Sequence, residues 1–141
     1  MNIDSIQNGI VIDHIQSGNG MRIYNYLRMD QLSCSVALIQ RCKSNRMGSK
    51  DIIKVDTLLD IDFEALGYLD PGATISIIRD GVTAEKKKLS LPQKIVNVIK
   101  CQNPRCITTT EPGLEHIFRL SHEEPPVYRC VYCEASNTKL S

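Results

Sequence analysis

Four of the six cysteines in this chain lie in its last 41 residues, spaced Cys101-x4-Cys106, then 23 residues, then Cys130-x2-Cys133. No other feature narrows so far what the tail can fold into. Each close pair can present two thiolates to one tetrahedral ion from a tight turn, with zinc–sulfur distances near ~2.3 Å. Asn103-Pro104 within the first pair and Val131-Tyr132 within the second are short enough for such turns. Strand signals beside both pairs predict two hairpin-like knuckles clamped together. Four sulfur donors leave no open coordination position, so the predicted Zn(2+), one per chain, is structural rather than catalytic. Four ordinary buried cysteines would have no reason to gather as two pairs. His116 and His122 lie between the pairs but are surplus as ligands, and are expected at the surface or behind the sulfurs.

The metal also answers a problem of size. Residues 93–141 number fewer than fifty, and so short a segment rarely buries enough apolar surface to fold alone. Its candidate core is Ile95, Val96, Val98, Ile99, Ile107, Leu114, Ile117, Phe118, Leu120, Val127 and Val131. Zinc binding worth about 10–16 kcal/mol at neutral pH would supply what such a core lacks.

The rest of the chain reads differently. Gly9 to Ile15 is compact and β-branched and predicts a buried strand. After the breakers Ser17-Gly18-Asn19-Gly20, Met21, Ile23, Tyr24 and Leu27 recur at helical spacing. Ser33 to Gln40 returns to strand character, and Lys43 to Ser49 reads as a turn. Lys50 to Leu58 is the next strand. Asp60-Ile61-Asp62 offers an N-cap for a helix over Phe63 to Leu69, which Pro71-Gly72 stops. Ala73 to Ile78 and Val82 to Lys87 form strands joined at Asp80-Gly81. The order is strand, helix, strand, strand, helix, strand, with one strand appended. The predicted fold is therefore α+β: a ferredoxin-like βαββαβ domain followed by a small all-β zinc-binding domain. Ser90-Leu91-Pro92 marks the expected boundary, giving domains 1–92 and 93–141, and Lys94 to Lys100 alternates as a strand leading to the first cysteine. Cys34 reads as a small packed hydrophobe.

Charge excludes some functions. Residues 1–93 carry 11 basic and 11 acidic side chains, and residues 94–141 carry 6 and 5. Four thiolates on one Zn²⁺ would take the tail to about −1. Neither part has the basic excess of a phosphate-backbone binder, and seven aromatic residues are few for base stacking. With 42% hydrophobic and 23% charged residues the chain has a globular balance. No apolar run is long enough to span a bilayer and no signal peptide opens the chain, so a cytoplasmic location with no membrane partner is expected.

Three charged groups interrupt otherwise apolar strands: Asp13 with its neighbour His14, Lys54, and Lys86 within Lys86-Lys87-Lys88. Strand alternation could simply point each to solvent, and lysines on a strand edge discourage aggregation. Together they suit a ribonucleotide, since ammonium groups neutralise phosphate and a carboxylate accepts from ribose hydroxyls. No Walker or Gly-x-Gly-x-x-Gly motif is present, and no nucleophile–base set can be read, so the pattern suggests binding without chemistry.

Val11-Ile12-Asp13-His14-Ile15, Met47-Gly48-Ser49-Lys50-Asp51-Ile52-Ile53-Lys54, Ala73-Thr74-Ile75-Ser76-Ile77-Ile78 and Leu91-Pro92 follow one another with the four cysteines. In that combination, from about residue 5 to residue 134, the sequence resembles the aspartate carbamoyltransferase regulatory chain family. The resemblance implies a non-catalytic regulatory subunit that binds CTP, UTP or ATP in its amino-terminal domain. It implies a homodimer within a dodecamer of two catalytic trimers and three regulatory dimers, acting in pyrimidine biosynthesis, with the zinc domain contacting the catalytic chain. It implies further that Asp13 and Lys54 contact ribose, that His14 and Lys86 contact phosphates, and that Ile6, Val11, Ile52 and Ile78 frame base and sugar. Ser76 stands where the family usually has Asn, and Asp80-Gly81 replaces larger residues beside the base.

The rival readings are a zinc-ribbon nucleic-acid-binding or transcription-associated module, a small zinc enzyme, and a metal-stabilised adaptor that binds no nucleotide. Balanced charge argues against the first and the all-sulfur donor set against the second.

Overall fold

The structure is a computed structural model and describes residues 6–137. The chain divides into two compact units, with Ser90 the last residue of the first and Leu91 the first of the second. Among the described residues no helix is long and apolar enough to cross a membrane.

In the first unit the order is β1 (Gly9–Gln16), α1 (Gly20–Tyr26), a 3-10 turn (Met29–Gln31), β2 (Val36–Ser44), β3 (Gly48–Val55), α2 (Phe63–Leu69), β4 (Thr74–Arg79) and β5 (Val82–Lys88). All strand pairs are antiparallel and the sheet order is β2-β3-β1-β4-β5. This is the ferredoxin-like plan with β5 added at one edge. Helix α2 spans the predicted residues, and the Asp62 carboxylate caps it by accepting from the Glu64 and Ala65 amides.

Alternation gives the sheet two unlike faces. Ile10, Ile12 and Ile15 of β1, Ile53 and Val55 of β3, and Ile75 of β4 are buried with Ile23 of α1 and Leu66 of α2. Cys34 is partly buried and packs against this core, as do Leu38 and Phe63. The other face carries Val11, Asp13, Ile52, Lys54, Ser76 and Ile78, all half-buried.

Two bulges shape the sheet where β1, β2 and β3 meet. Asp13 and His14 together oppose Ile52, and Gln40 and Arg41 together oppose Asp51. His14 and Arg41 are both left-handed, with φ of 57° each. Asp51 is fully buried and acts as the hub. Its carboxylate accepts from the Arg41 amide at 2.9 Å, the Gly18 amide at 3.0 Å and the Gly20 amide at 2.9 Å. Asp70, also buried, ties the same loop by accepting from the Gln16 amide at 2.7 Å. Burial raises the Asp70 carboxyl above its ordinary value, against the opposing pull of the Gln16 amide.

Sequence expectation and structure part at several places. Strand β2 runs on through Lys43 to Ser44, because the Arg41 bulge restores its register with β3 beyond the break. The predicted turn thus shrinks to the tip at residues 45–47. Beyond the first unit, β6 covers only Lys94–Val96, since Asn97 turns left-handed with φ of 59°.

The second unit is a four-stranded antiparallel sheet in the order β6-β7-β8-β9, with β7 (Ile117–Glu123), β8 (Pro126–Cys130) and β9 (Ser136–Asn137). One helical turn, α3 (Ile107–Thr110), follows Cys106. Its core is smaller than the sequence suggested. Among the described residues of this unit only Ile95, Phe118 and Tyr128 join Cys101, Cys106 and Cys130 as buried hydrophobic residues, while Ile107, Leu114 and Val131 are exposed. The Tyr128 hydroxyl donates to the Pro92 carbonyl at 2.7 Å.

Helix α2 contains Gly67 at its buried centre. A Cβ there would lie 2.2 Å from the Ser90 carbonyl oxygen. Gly67→Ala should therefore destabilise the first unit, although in an open helix it would gain about 1 kcal/mol. Asp51→Ala strands three amide donors and is expected to cost about 2–3 kcal/mol. Chemical denaturation followed on the first unit checks both, and an unchanged midpoint for either variant would contradict these packing assignments.

Candidate functional site: a thiol quartet and an open sheet face

The four cysteines predicted as ligands come together. The sulfurs of Cys101, Cys106, Cys130 and Cys133 all lie within 4.8 Å of one another. Cys101 and Cys133 sulfurs are 3.6 Å apart, and those of Cys106 and Cys130 are 3.7 Å apart. A regular tetrahedron with zinc–sulfur bonds of ~2.3 Å has edges of about 3.8 Å, so the spacing fits one ion and none of the pairs is a disulfide. Free thiols in such a cluster share protons unevenly. Burial pushes Cys101 up to about 12, while the Thr108 hydroxyl, 3.0 Å from the Cys106 sulfur, draws Cys106 down to about 6. Burial likewise raises Cys130, and the Ala135 backbone lowers Cys133. A bound dication would favour the deprotonated form of all four.

Local structure explains the convergence. Cys130 ends β8, and its carbonyl accepts from the Glu134 amide to close the second knuckle. The first pair differs from the hairpin expected of it. Cys106 is the N-cap residue of α3, and its carbonyl accepts from the Thr109 amide. His116 stands behind the sulfurs, with its Nδ1 accepting from the Cys101 amide at 3.1 Å, while His122 is exposed. Second-layer contacts of this kind orient ligands.

On the first unit, register places the sequence candidates in a cross-strand row. Lys54 pairs with Val11, Val11 with Ser76, and Ser76 with Lys86, so the four side chains share the face opposite the helices. Ile52 lies two residues along from Lys54, and Ile78 pairs with Gly9. His14, in its bulge, places Nδ1 3.0 Å from the Thr74 hydroxyl. Ile6 is buried just ahead of β1, against Gly9.

Within the lysine run the faces separate. Lys87 pairs with buried Ile75 and its ammonium sits 4.4 Å from the Phe63 ring centroid, whereas Lys86 and Lys88 take the open face. One neighbour escaped the sequence analysis. Lys50 Nζ lies 3.0 Å from Asp13 Oδ1. Burial alone would raise the Asp13 carboxyl, but the His14 amide and the Lys50 ammonium hold it below its ordinary value. The signal was available, since Lys50, Ile52 and Lys54 alternate onto one face.

Fold and site together define a class: a mixed α/β unit with one polar sheet face, followed by a small β unit that carries a metal-binding quartet of thiols. Residues 1–90 match the family model described as the aspartate carbamoyltransferase regulatory chain, allosteric domain, and residues 93–140 match that chain's metal binding domain. The aspartate carbamoyltransferase regulatory chain of Clostridium botulinum (strain Hall) is 48% identical over 134 residues, covering 95% of this chain and 92% of the relative. That of Bifidobacterium longum is 47% identical, covering 95% and 96%, and that of Clostridium tetani 49%, covering 95% and 94%. The chain belongs to the aspartate carbamoyltransferase regulatory chain family.

Cys130→Ala, or complete chelation, should remove metal energy of about 10–16 kcal/mol and unfold residues 91–141 while the first unit stays folded. Amide NMR resolves the two: resonances of β6 to β9 should collapse and those of β1 to β5 persist. Unaltered spectra after full metal removal would contradict this.

Proposed function

We propose that the chain is a non-catalytic regulatory subunit of aspartate carbamoyltransferase. It binds a nucleotide effector such as CTP, UTP or ATP on its first unit and passes the signal to catalytic chains in pyrimidine biosynthesis. The observation carrying this reading is the cross-strand row Lys54–Val11–Ser76–Lys86, with Asp13 and His14 at its margin. Lysines at both ends of an apolar, hydroxyl-bearing strip suit phosphate on one side and ribose on the other. Asp13 is held by Lys50 and so remains a carboxylate able to accept from ribose hydroxyls. Ile6, Val11, Ile52 and Ile78 supply apolar surface for the base. Matching of the chain to an allosteric domain model and a metal binding domain model supports the same division of labour.

In this reading residues 1–92 form the effector domain and residues 93–141 the docking domain. Cys101, Cys106, Cys130 and Cys133 hold one structural Zn²⁺, which supplies cross-linking and no chemistry. The metal knuckles display Ile107, Val131 and Tyr132 to solvent, a set of exposed apolar side chains that suits a protein surface. The first unit dimerises, three such dimers join two catalytic trimers, and the assembly is cytoplasmic. The chain has no nucleic acid partner and no membrane partner.

Allostery requires two sites and two states whose contacts differ. Effector binding is expected to shift the substrate curve of the reconstituted assembly with a coupling of about 1–3 kcal/mol. The purified chain should gain thermal stability on titration with CTP or ATP, by about 2.7 kcal/mol at a hundredfold excess over Kd. Lys54→Ala should weaken that binding at least tenfold. Nucleotide binding that leaves the substrate curve unmoved would refute the regulatory role, and strong salt-dependent retention on heparin would favour a nucleic-acid module instead.

A further inference from the structure

The sheet of the second unit also has two unlike faces. Ile95, Phe118 and Cys130 form a buried cross-strand row. On the opposite face Lys94 pairs with Arg119, Arg119 with Arg129, and Arg129 with Ser136. Three cations stand side by side across β6, β7 and β8, and all three are exposed. Directly opposed side chains in an antiparallel pair have Cβ atoms about 5 Å apart, and like charges there repel. The chain as a whole has 17 basic and 16 acidic side chains, so the row concentrates charge that the composition does not.

Nothing described within the unit neutralises this row. Among the described residues Lys94, Arg119 and Arg129 form no ion pair. Arg129 Nη1 donates to the Glu134 carbonyl at 3.1 Å, which ties its guanidinium to the second metal knuckle. The two arginines border a cavity of ≈ 430 Å³ with Ser121, Cys130, Val131 and Glu134. Glu134 is the one acid there, and its carboxylate is beyond ion-pair distance of either arginine. The Ser121 hydroxyl donates to the Val127 carbonyl at 3.2 Å, so the guanidiniums are the donors left for a ligand. Two such forks at one hollow match an oxyanion in charge and geometry. A single carboxylate offsets only one of them. A phosphate-type dianion offsets both and accepts from two sides.

We infer that Arg119 and Arg129 form an oxyanion site on the metal-bearing unit, taking a phosphate-type dianion, free or at the end of a small ester. Lys94 strengthens the attraction from the neighbouring strand. The inference stands apart from the nucleotide reading, which concerns the first unit. Because β8 ends at Cys130, a bound anion also clamps β7 to the strand that enters the metal knuckle.

Amide NMR of the metal-loaded full chain, titrated with inorganic phosphate at constant ionic strength, tests this. Saturable shifts should centre on β7 and β8 around Arg119 and Arg129, and sodium chloride should not reproduce them. Arg119→Gln should weaken phosphate binding by about tenfold or more. Without phosphate, the same variant should keep or raise the unfolding midpoint of the second unit, because one opposed charge is gone. Arg119→Lys keeps the charge but not the fork and should bind with intermediate affinity. Glycerol phosphate distinguishes the two forms of ligand: affinity equal to phosphate marks a site for a phosphoryl end, and weaker affinity a site for the free ion. Shifts reproduced by chloride, or phosphate binding unchanged in Arg119→Gln, would overturn the site. A lowered midpoint in that variant without phosphate would mark Arg119 as structural and overturn it too.

Discussion

The second unit depends on bringing four sulfurs closer together than thiolates would tolerate without a cation. With all of them within 4.8 Å, mutual repulsion would disperse the ionised cluster unless a dication sits among them. Burial raises Cys101 while the Thr108 hydroxyl lowers Cys106, so the four sulfurs sit in unequal surroundings. What surrounds it is slight. Among the described residues Ile95, Phe118 and Tyr128 are the large hydrophobic side chains buried with the cysteines, so the thiol quartet is a large share of the core rather than an ornament on it. Thr108 and the backbone at Ala135 address the Cys106 and Cys133 sulfurs, while His116 accepts from the Cys101 amide and so fixes the backbone that carries its sulfur.

The first unit solves a different problem by the same economy. One sheet face is spent on the hydrophobic core, under α1 and α2, and the other stays half-buried and partly polar. Asp51 links the two faces. Its buried carboxylate fixes the Arg41 bulge and the turn entering α1, and it stands between Lys50 and Ile52, which belong to the open face.

How much could be read beforehand follows from what each element owes to local chemistry. Helix α2 was legible in full because its cap, its first-turn acid and its stop are all encoded locally, between Asp62 and Gly72. The thiol quartet was legible because spacing alone restricts the coordination. The extent of β2 was not, since a bulge at Arg41 carries pairing through a polar stretch that has no strand signal of its own. The separation of Lys86 and Lys88 from Lys87 also needed the register, set by pairing of Ser76 and Ile75 across β5. The second unit's core was overestimated because a sheet of three- to seven-residue strands with short β9 cannot cover Ile107, Leu114 or Val131. Lys50 as the partner of Asp13 lay in the alternation but required the bulge at His14 to bring the two within reach.

X-ray absorption at the zinc edge, combined with metal analysis of the purified chain, addresses the central claim most directly. One zinc per chain with four sulfur neighbours near ~2.3 Å is the predicted result. A nitrogen or oxygen in the inner coordination sphere, or a well-folded chain holding no stoichiometric metal, would contradict the closed sulfur site on which the second unit is built.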